Sequence, residues 1–312
     1  MNEAEPQKPL PSVAIIVPTR SRPELLKRCL RQILPYVEEH PECMVVVSDD
    51  GDARETHASL GEELNQVKVV QGPRRGPAAN RNSGVEHSAG DLLIFLDDDC
   101  QPDPNLIHEY RRAAVQYPDC SVFEGRNSAK GAWTSFADTA PVNESGGYLW
   151  SCNFAIRRDL YLSIGGFDER FPFPAMEDVD LKFRVEAKSS IRFLPEARVF
   201  HEVERRTGWR LLRHHSLSVI LYVHLHGRKA TGQGSRYFSE AIVRMAVRGF
   251  SSYLRRKVTN DFGHLLSMIW ASTLILMVVC FWRLHPYLTK RLFPACCVGC
   301  RSIHTSLMEG RR

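Results

Sequence analysis

Three consecutive aspartates, Asp97, Asp98 and Asp99, follow directly on the apolar run LLIFL at residues 92–96. Clustered carboxylates repel one another unless a cation lies among them, and oxygen ligands suit a hard divalent ion such as Mg²⁺ or Mn²⁺. Helix capping is the plainer alternative, because PDPNLIHEY opens a helix shortly afterwards. Asp103 followed by Pro104 already supplies the expected cap and first helical residue. The upstream acids are left over for a metal or a ligand. Their spacing alone serves a phosphatase, a nucleotidyltransferase or a glycosyltransferase equally.

Other constellations narrow the chemistry. Asp49-Asp50-Gly51 ends a second apolar run, offering a carboxylate to a base N–H and a glycine for close approach; Asp-Gly is also a common turn. RRGPAANRNSG, residues 74–84, brings Arg75 and Arg81 to a helix start suited to phosphate oxygens, with a solvated basic turn as the alternative. In GGFDERFPFPAMEDVDLKFR, residues 165–184, Glu177 and Asp178 open a helix crowded by Phe171, Pro172, Phe173 and Pro174. First-turn acids complement the helix dipole, and apolar neighbours also make a carboxylate a better proton acceptor. The sequence contains neither GxGxxG nor GxxxxGK[ST], which removes a dinucleotide fingerprint and a P-loop from consideration.

The elements that must hold these residues are legible as runs. VAIIVP (13–18), MVVVSD (44–49), VKVVQG (67–72), LLIFLD (92–97) and SVFEG (121–125) read as strands buried on both faces. Residues 23–34, 53–64 and 78–87 read as helices between them. The alternation predicts an α/β fold, a Rossmann-like, mainly parallel sheet sandwiched by helices, with ligands outside the carboxyl ends of the strands. Farther on, 148–158 reads as one extended run, 177–188 as a helix and 191–195 as a strand.

In order and approximate spacing, VAIIVPTRSRPELLKRCL, SDDG, RGPAANRNSG, FLDDDC, NFAIRRDLYLSIGGFDERF and EDVDLKFR resemble the family 2 glycosyltransferases of the GT-A fold, over about residues 12–204. The resemblance implies that Pro18, Thr19 and Arg20 line a nucleotide pocket, that Asp50 contacts the base and that Arg81 lies near the nucleotide. It implies a DxD motif with Asp97 near the ribose and Asp99 on a Mn²⁺ or Mg²⁺ ion bridging the diphosphate; Asp98 is counted with the donor-binding residues. Asp178 matches the general base, with Glu177 on the acceptor side. His201, in RVFHEV, matches a position where some relatives place a further metal or diphosphate contact, and packing is its plainer role. PTRSRP departs from the commoner Pro-Thr-x-Asn-Arg start and Asp52 replaces the usual serine, so the base preference, uridine first, is the least determined feature.

Composition divides the chain. Residues 1–204 hold 23 basic and 33 acidic side chains, a net charge of −10, whereas residues 205–312 hold 18 and 3, a net charge of +15. The expected organisation is a flexible lead-in at 1–11, a catalytic domain at 12–204 and a basic helical region at 205–312. The polar, proline-rich start is no secretory signal, and nine scattered cysteines suit a reducing compartment. The uncharged run at 265–282 is 18 residues long, which suits a membrane span, an interfacial helix or a buried core helix. Its basic flanks favour an anionic membrane surface. Cys296, Cys297 and Cys300 beside it offer a zinc site, a place for acylation or plain structural thiols.

These features together predict an inverting, metal-dependent hexosyltransferase at the cytoplasmic face of a membrane, peripheral or held by one span, with a soluble cytoplasmic protein as the alternative. Its expected partners are a nucleoside diphosphate sugar, UDP-linked first, a glycan or lipid-linked acceptor and the membrane surface, with no nucleic acid. The rival is a non-catalytic membrane- or nucleic-acid-binding protein, which leaves the acid set without a purpose.

Overall fold

The structure, a computed structural model, describes residues 9–61, 66–134 and 138–205, together with 214–215, 217–219, 221–222 and 225–226. The chain divides into two compact units, one of Met1–Trp133 and Asp138–Arg206, the other of Thr134–Ala137 and Thr207–Arg312. In the second unit the described residues between 214 and 226 are helical, with Val219, Leu221 and Tyr222 buried.

The first unit begins with β1 (Val13–Thr19), α1 (Pro23–Glu39), β2 (Cys43–Asp49), α2 (Ala53–Leu60), β3 (Val67–Gln71), α3 (Pro77–Glu86) and β4 (Leu92–Leu96). It continues with β5 (Cys100–Pro102), α4 (Leu106–Gln116), β6 (Val122–Lys130), β7 (Asp138–Thr139), β8 (Asn153–Arg157), α5 (Arg158–Ser163), α6 (Glu177–Glu186), β9 (Ile191–Glu202) and β10 (Glu204–Arg205). Eight strands form one sheet in the order β3-β2-β1-β4-β8-β6-β9-β5, and β7 pairs with β10 separately.

The sheet is mixed. β1 to β4 are parallel, β8 runs antiparallel to both β4 and β6, β6 and β9 are parallel, and β5 returns antiparallel to β9. This is the α/β sandwich of the GT-A class, with more antiparallel pairing in its second half than the alternation of runs alone suggests.

Strand periodicity explains the two cores. Val13, Ile15 and Val17 of β1 face a cluster that includes Leu26, Leu30 and Ile33 of α1 and Tyr110 of α4. Ala14 and Ile16 face the opposite cluster, with Val85 of α3, Tyr161 of α5 and Leu181 of α6. Each such Val, Leu or Ile side chain contributes roughly 1.5–3 kcal/mol relative to exposure. Helix α3 lies close on β1 because residue 84 is glycine; a Cβ there would meet Ile16 Cγ2 at 2.6 Å.

Two local expectations are corrected. The helix expected at Asp103-Pro104 begins instead at Leu106, after Asn105, and Asp103 turns the chain by accepting a hydrogen bond from Asn105 N at 3.0 Å. The extended run at 148–158 is limited to β8, because Glu124 binds the chain ahead of it. Its carboxylate accepts from Asn143 Nδ2, Gly147 N and Tyr148 N, each at 2.7 Å, and from Leu149 N. That bound loop cannot pair as a strand.

Candidate active site

The acids gather where the parallel strands end. β1 stops at Thr19, β2 at Asp49 and β4 at Leu96, immediately before Asp97. The register between β5 and β9 sets Cys100 opposite His201, which brings His201 Nδ1 to 3.6 Å from Asp99 Oδ1.

The three aspartates have three different environments. Asp97 is partly exposed and meets Arg81 Nη2 at 2.7 Å. Burial works to raise its pKa, but the charges of Arg81, His201 and Arg22 outweigh that and hold it below the ordinary value. Asp98 is fully buried, accepting from Thr19 Oγ1 at 2.6 Å and pairing with Arg22 Nη2 at 2.5 Å. Burial pushes it up to about 7 against the pull of both partners. Asp99 is partly exposed and takes Arg22 Nη1 on Oδ2 at 3.1 Å, leaving Oδ1 toward His201.

Arg81, on α3, is buried beneath this group. Its Nη1 lies 3.3 Å from Glu177 Oε1, and its guanidinium sits 5.4 Å from the centre of the Phe167 ring. Among the described residues neither Arg81 Nε nor Glu177 Oε2 has a hydrogen-bond partner. Glu177 and Asp178 open α6 after Met176, which adopts a left-handed conformation at φ 70°. Burial, and then the charge of Asp178, raise Glu177 to about 8, while burial raises Asp178 to about 6. Asp178 is close enough to Arg81 and Asp97 for their charges to act on it.

At the opposite edge, Asp49 is bound inside the fold by Gly51 N and Thr56 Oγ1, both at 2.6 Å. Asp50 accepts from Arg74 N at 2.8 Å and Gly76 N at 3.0 Å, one bond to each carboxylate oxygen. Each oxygen retains further acceptor capacity for a base. Pro18 is buried in β1, while Arg20 is exposed beyond it. Arg75 is drawn to Glu169, at 2.9 Å.

Among the described residues no group of three or more His, Cys, Asp or Glu side chains is gathered for a metal. The available donors are Asp99 and His201. One carboxylate and one imidazole fit an ion that takes its remaining ligands from water and substrate phosphates, as Mg²⁺ and Mn²⁺ do. Sequence reading assigned no role to Arg22. The signal it carried was a cation at the start of a helix, where the dipole favours an acid.

A mixed sheet of this order, flanked by helices and carrying carboxylates at its strand ends, has the GT-A fold. Residues 14–164 match the model of glycosyl transferase family 2, and the chain carries a domain of that family. It is 29% identical over 212 residues to the O-antigen biosynthesis protein RfbC of Myxococcus xanthus, covering 59% of this chain and 16% of that protein. It is 30% identical over 95 residues to the GalNAc(5)-diNAcBac-PP-undecaprenol beta-1,3-glucosyltransferase of Campylobacter jejuni, covering 29% of this chain and 30% of that one. The solved structure of GalNAc-T7 with UDP, GalNAc and Mn²⁺ shares the fold, with a TM-score of 0.51, 17% identity and coverage of 81% of this chain and 57% of that one. The chain spans about half or less of the length of the curated relatives it matches.

Proposed function

We propose that the chain is an inverting hexosyltransferase that moves a sugar from a nucleoside diphosphate sugar to an acceptor hydroxyl, with Asp178 as base. The observation that carries this reading is the convergence of Asp97, Asp99 and His201 with Arg81 and the α6 acids at one end of the sheet. In this reading residues 12–204 form the catalytic domain, and Pro18, Thr19, Arg20 and Asp50 receive the nucleoside. Asp99 and His201 hold a divalent cation, which when bound offsets charge on a departing diphosphate. Asp178, raised by burial, takes the proton of an acceptor hydroxyl attacking C1 from the face opposite the diphosphate, which inverts the anomeric centre. Asp97 keeps Arg81 in place for the donor, and Glu177 lies on the acceptor side. UDP is the favoured nucleotide; the Mn²⁺ and UDP bound by GalNAc-T7 support that choice by analogy of fold. Purified protein should hydrolyse UDP-sugars slowly with Mn²⁺ and stop on addition of EDTA. Absence of nucleotide binding at any Mn²⁺ or Mg²⁺ concentration would overturn the reading.

The acceptor we infer is a lipid-linked glycan at a membrane surface. The name of the Campylobacter relative, with its undecaprenol acceptor, supports this, as does the +15 charge of residues 205–312. No helix among the described residues is long and apolar enough to cross a membrane, and the 265–282 run and Cys296, Cys297 and Cys300 lie outside them. Removing residues 205–312, which carry both that charge and the apolar run, should release the protein from anionic vesicles with nucleotide binding intact. Full-length protein that fails to bind such vesicles at low salt would refute the membrane assignment.

A further inference from the structure

Arg22 forks between two of the three aspartates, at 2.5 Å from Asp98 Oδ1 and 3.1 Å from Asp99 Oδ2. Asp98 is a fixed anchor, since it is fully buried and its other oxygen is taken by Thr19. The turn that delivers Arg22 is equally constrained. Ser21 is left-handed at φ 51°, its N–H points to Asp49 Oδ1 at 3.4 Å, and Gly51 lies so close that a Cβ there would meet Ser21 Oγ at 2.2 Å. Arg22 also occupies the N-cap of the 17-residue helix α1 and provides no capping hydrogen bond. A cation is the wrong charge for that end of a helix. Local helix energetics therefore do not account for an arginine here; the two carboxylates do.

The division of Asp99 has a chemical consequence. Arg22 claims Oδ2 and so turns Oδ1 toward His201, the pair of donors that suits a divalent cation. The guanidinium meanwhile cancels charge that would attract that cation. An incoming cation and Arg22 repel each other, whereas a diphosphate is attracted to both. We propose that Arg22 is a positioning residue for Asp99 that makes divalent-cation binding conditional on a nucleoside diphosphate. This rests on the nucleotide-sugar reading above. Free cation binds weakly against Arg22, diphosphate relieves the repulsion, and by linkage each ligand strengthens the other by the same factor.

The test is Mn²⁺ titration of the full-length protein, followed by electron paramagnetic resonance, alone and with saturating UDP or UMP. Wild type should bind Mn²⁺ at least thirtyfold more tightly with UDP than without, and UMP, lacking the second phosphate, should give under a third of that gain. Arg22→Met should bind Mn²⁺ at least tenfold more tightly without nucleotide, and its UDP coupling should fall below fivefold. A merely structural arginine would leave the coupling ratio unchanged, and an unchanged ratio overturns the proposal. Should Arg22→Met fail to melt cooperatively, Arg22→Lys, which keeps the charge but not the fork, is expected to lower the ratio at least threefold; an unaltered ratio in that variant is equally fatal. Failure of wild type to bind Mn²⁺ with either UDP or GDP would instead remove the nucleotide-sugar reading, and this inference with it.

Discussion

Thr19 Oγ1 donates to Asp98 Oδ2 across 2.6 Å, joining the end of β1 to the turn after β4. The two residues are 79 positions apart in sequence, and both are buried. Asp98 thus fixes the turn on which Asp97 and Asp99 stand. Thr19→Val leaves a buried carboxylate short of one donor and should lower unfolding free energy by roughly 1–3 kcal/mol. Urea denaturation, with m unchanged, measures it.

Asp99 is the contrasting case, since it is partly exposed and its Oδ1 makes no short contact with His201, only one of 3.6 Å. Asp99→Ala should abolish Mn²⁺-dependent binding of UDP-sugar while changing stability by no more than about 1 kcal/mol. Calorimetric titration with and without Mn²⁺, beside a melting curve, separates the two effects. Retention of metal-dependent binding would remove Asp99 from the cation site.

The parts of this arrangement that sequence reveals are those written in burial. β1, β2 and β4 read correctly because both faces are covered, so each is an apolar run, whereas β3 at the sheet edge reads through its valines, Val67, Val69 and Val70. β5 does not read as a strand: Cys100-Gln101-Pro102 is too short to carry a period and exists through its pairing with β9. β9 is expected to stop at 195, yet it runs to Glu202: Pro195 and Glu196 interrupt the apolar pattern, and beyond them the buried positions Ala197, Val199 and His201 alternate with Arg198 and the apolar Phe200, which blurs the period in the sequence. The difference between Asp98 and its neighbours is likewise hidden. Three identical residues carry no hint that one points inward to Thr19 and Arg22, and Arg22 itself gains meaning only when α1 is set beside β4.

Glu124 yields a prediction of another kind. Its buried carboxylate accepts from three backbone N–H groups of residues 147–149 and from Asn143 Nδ2, and it therefore sets the course of the chain into Cys152 and β8. Cys152 lies near enough to Asp97, Asp99 and Asp178 for their charges to act on it, so the loop leads directly into the site. Glu124→Ala strands several donors and should cost about 2–4 kcal/mol. Faster hydrogen exchange should appear at 143–149, with β1 and β2 unaffected. Protection at wild-type level there would show that the loop holds its path without the carboxylate.

The last prediction concerns the paired acids of α6. Burial raises Asp178 to about 6 and Glu177 to about 8, so near neutrality the pair keeps one proton, held on the more deeply buried Glu177. If Asp178 is the base, kcat/KM should climb about tenfold per pH unit below 6 and level off above it, because the charged form is the active one. Stability should move the other way. The folded state holds the Asp178 proton to higher pH than the unfolded chain, whose aspartates titrate near ~3.9, so this group's contribution is present at low pH and lost as pH rises through that window to about 6. Asp178→Asn should preserve UDP-sugar binding, lower transfer at least a hundredfold and erase the acid limb. Glu177→Gln keeps a neutral, hydrogen-bonding side chain beside Arg81 and should retain that limb close to its wild-type position, because Glu177 is itself protonated where Asp178 titrates. Measured pH profiles of the two variants decide the assignment: an Asp178→Asn enzyme that turns over at the wild-type rate would move the base elsewhere.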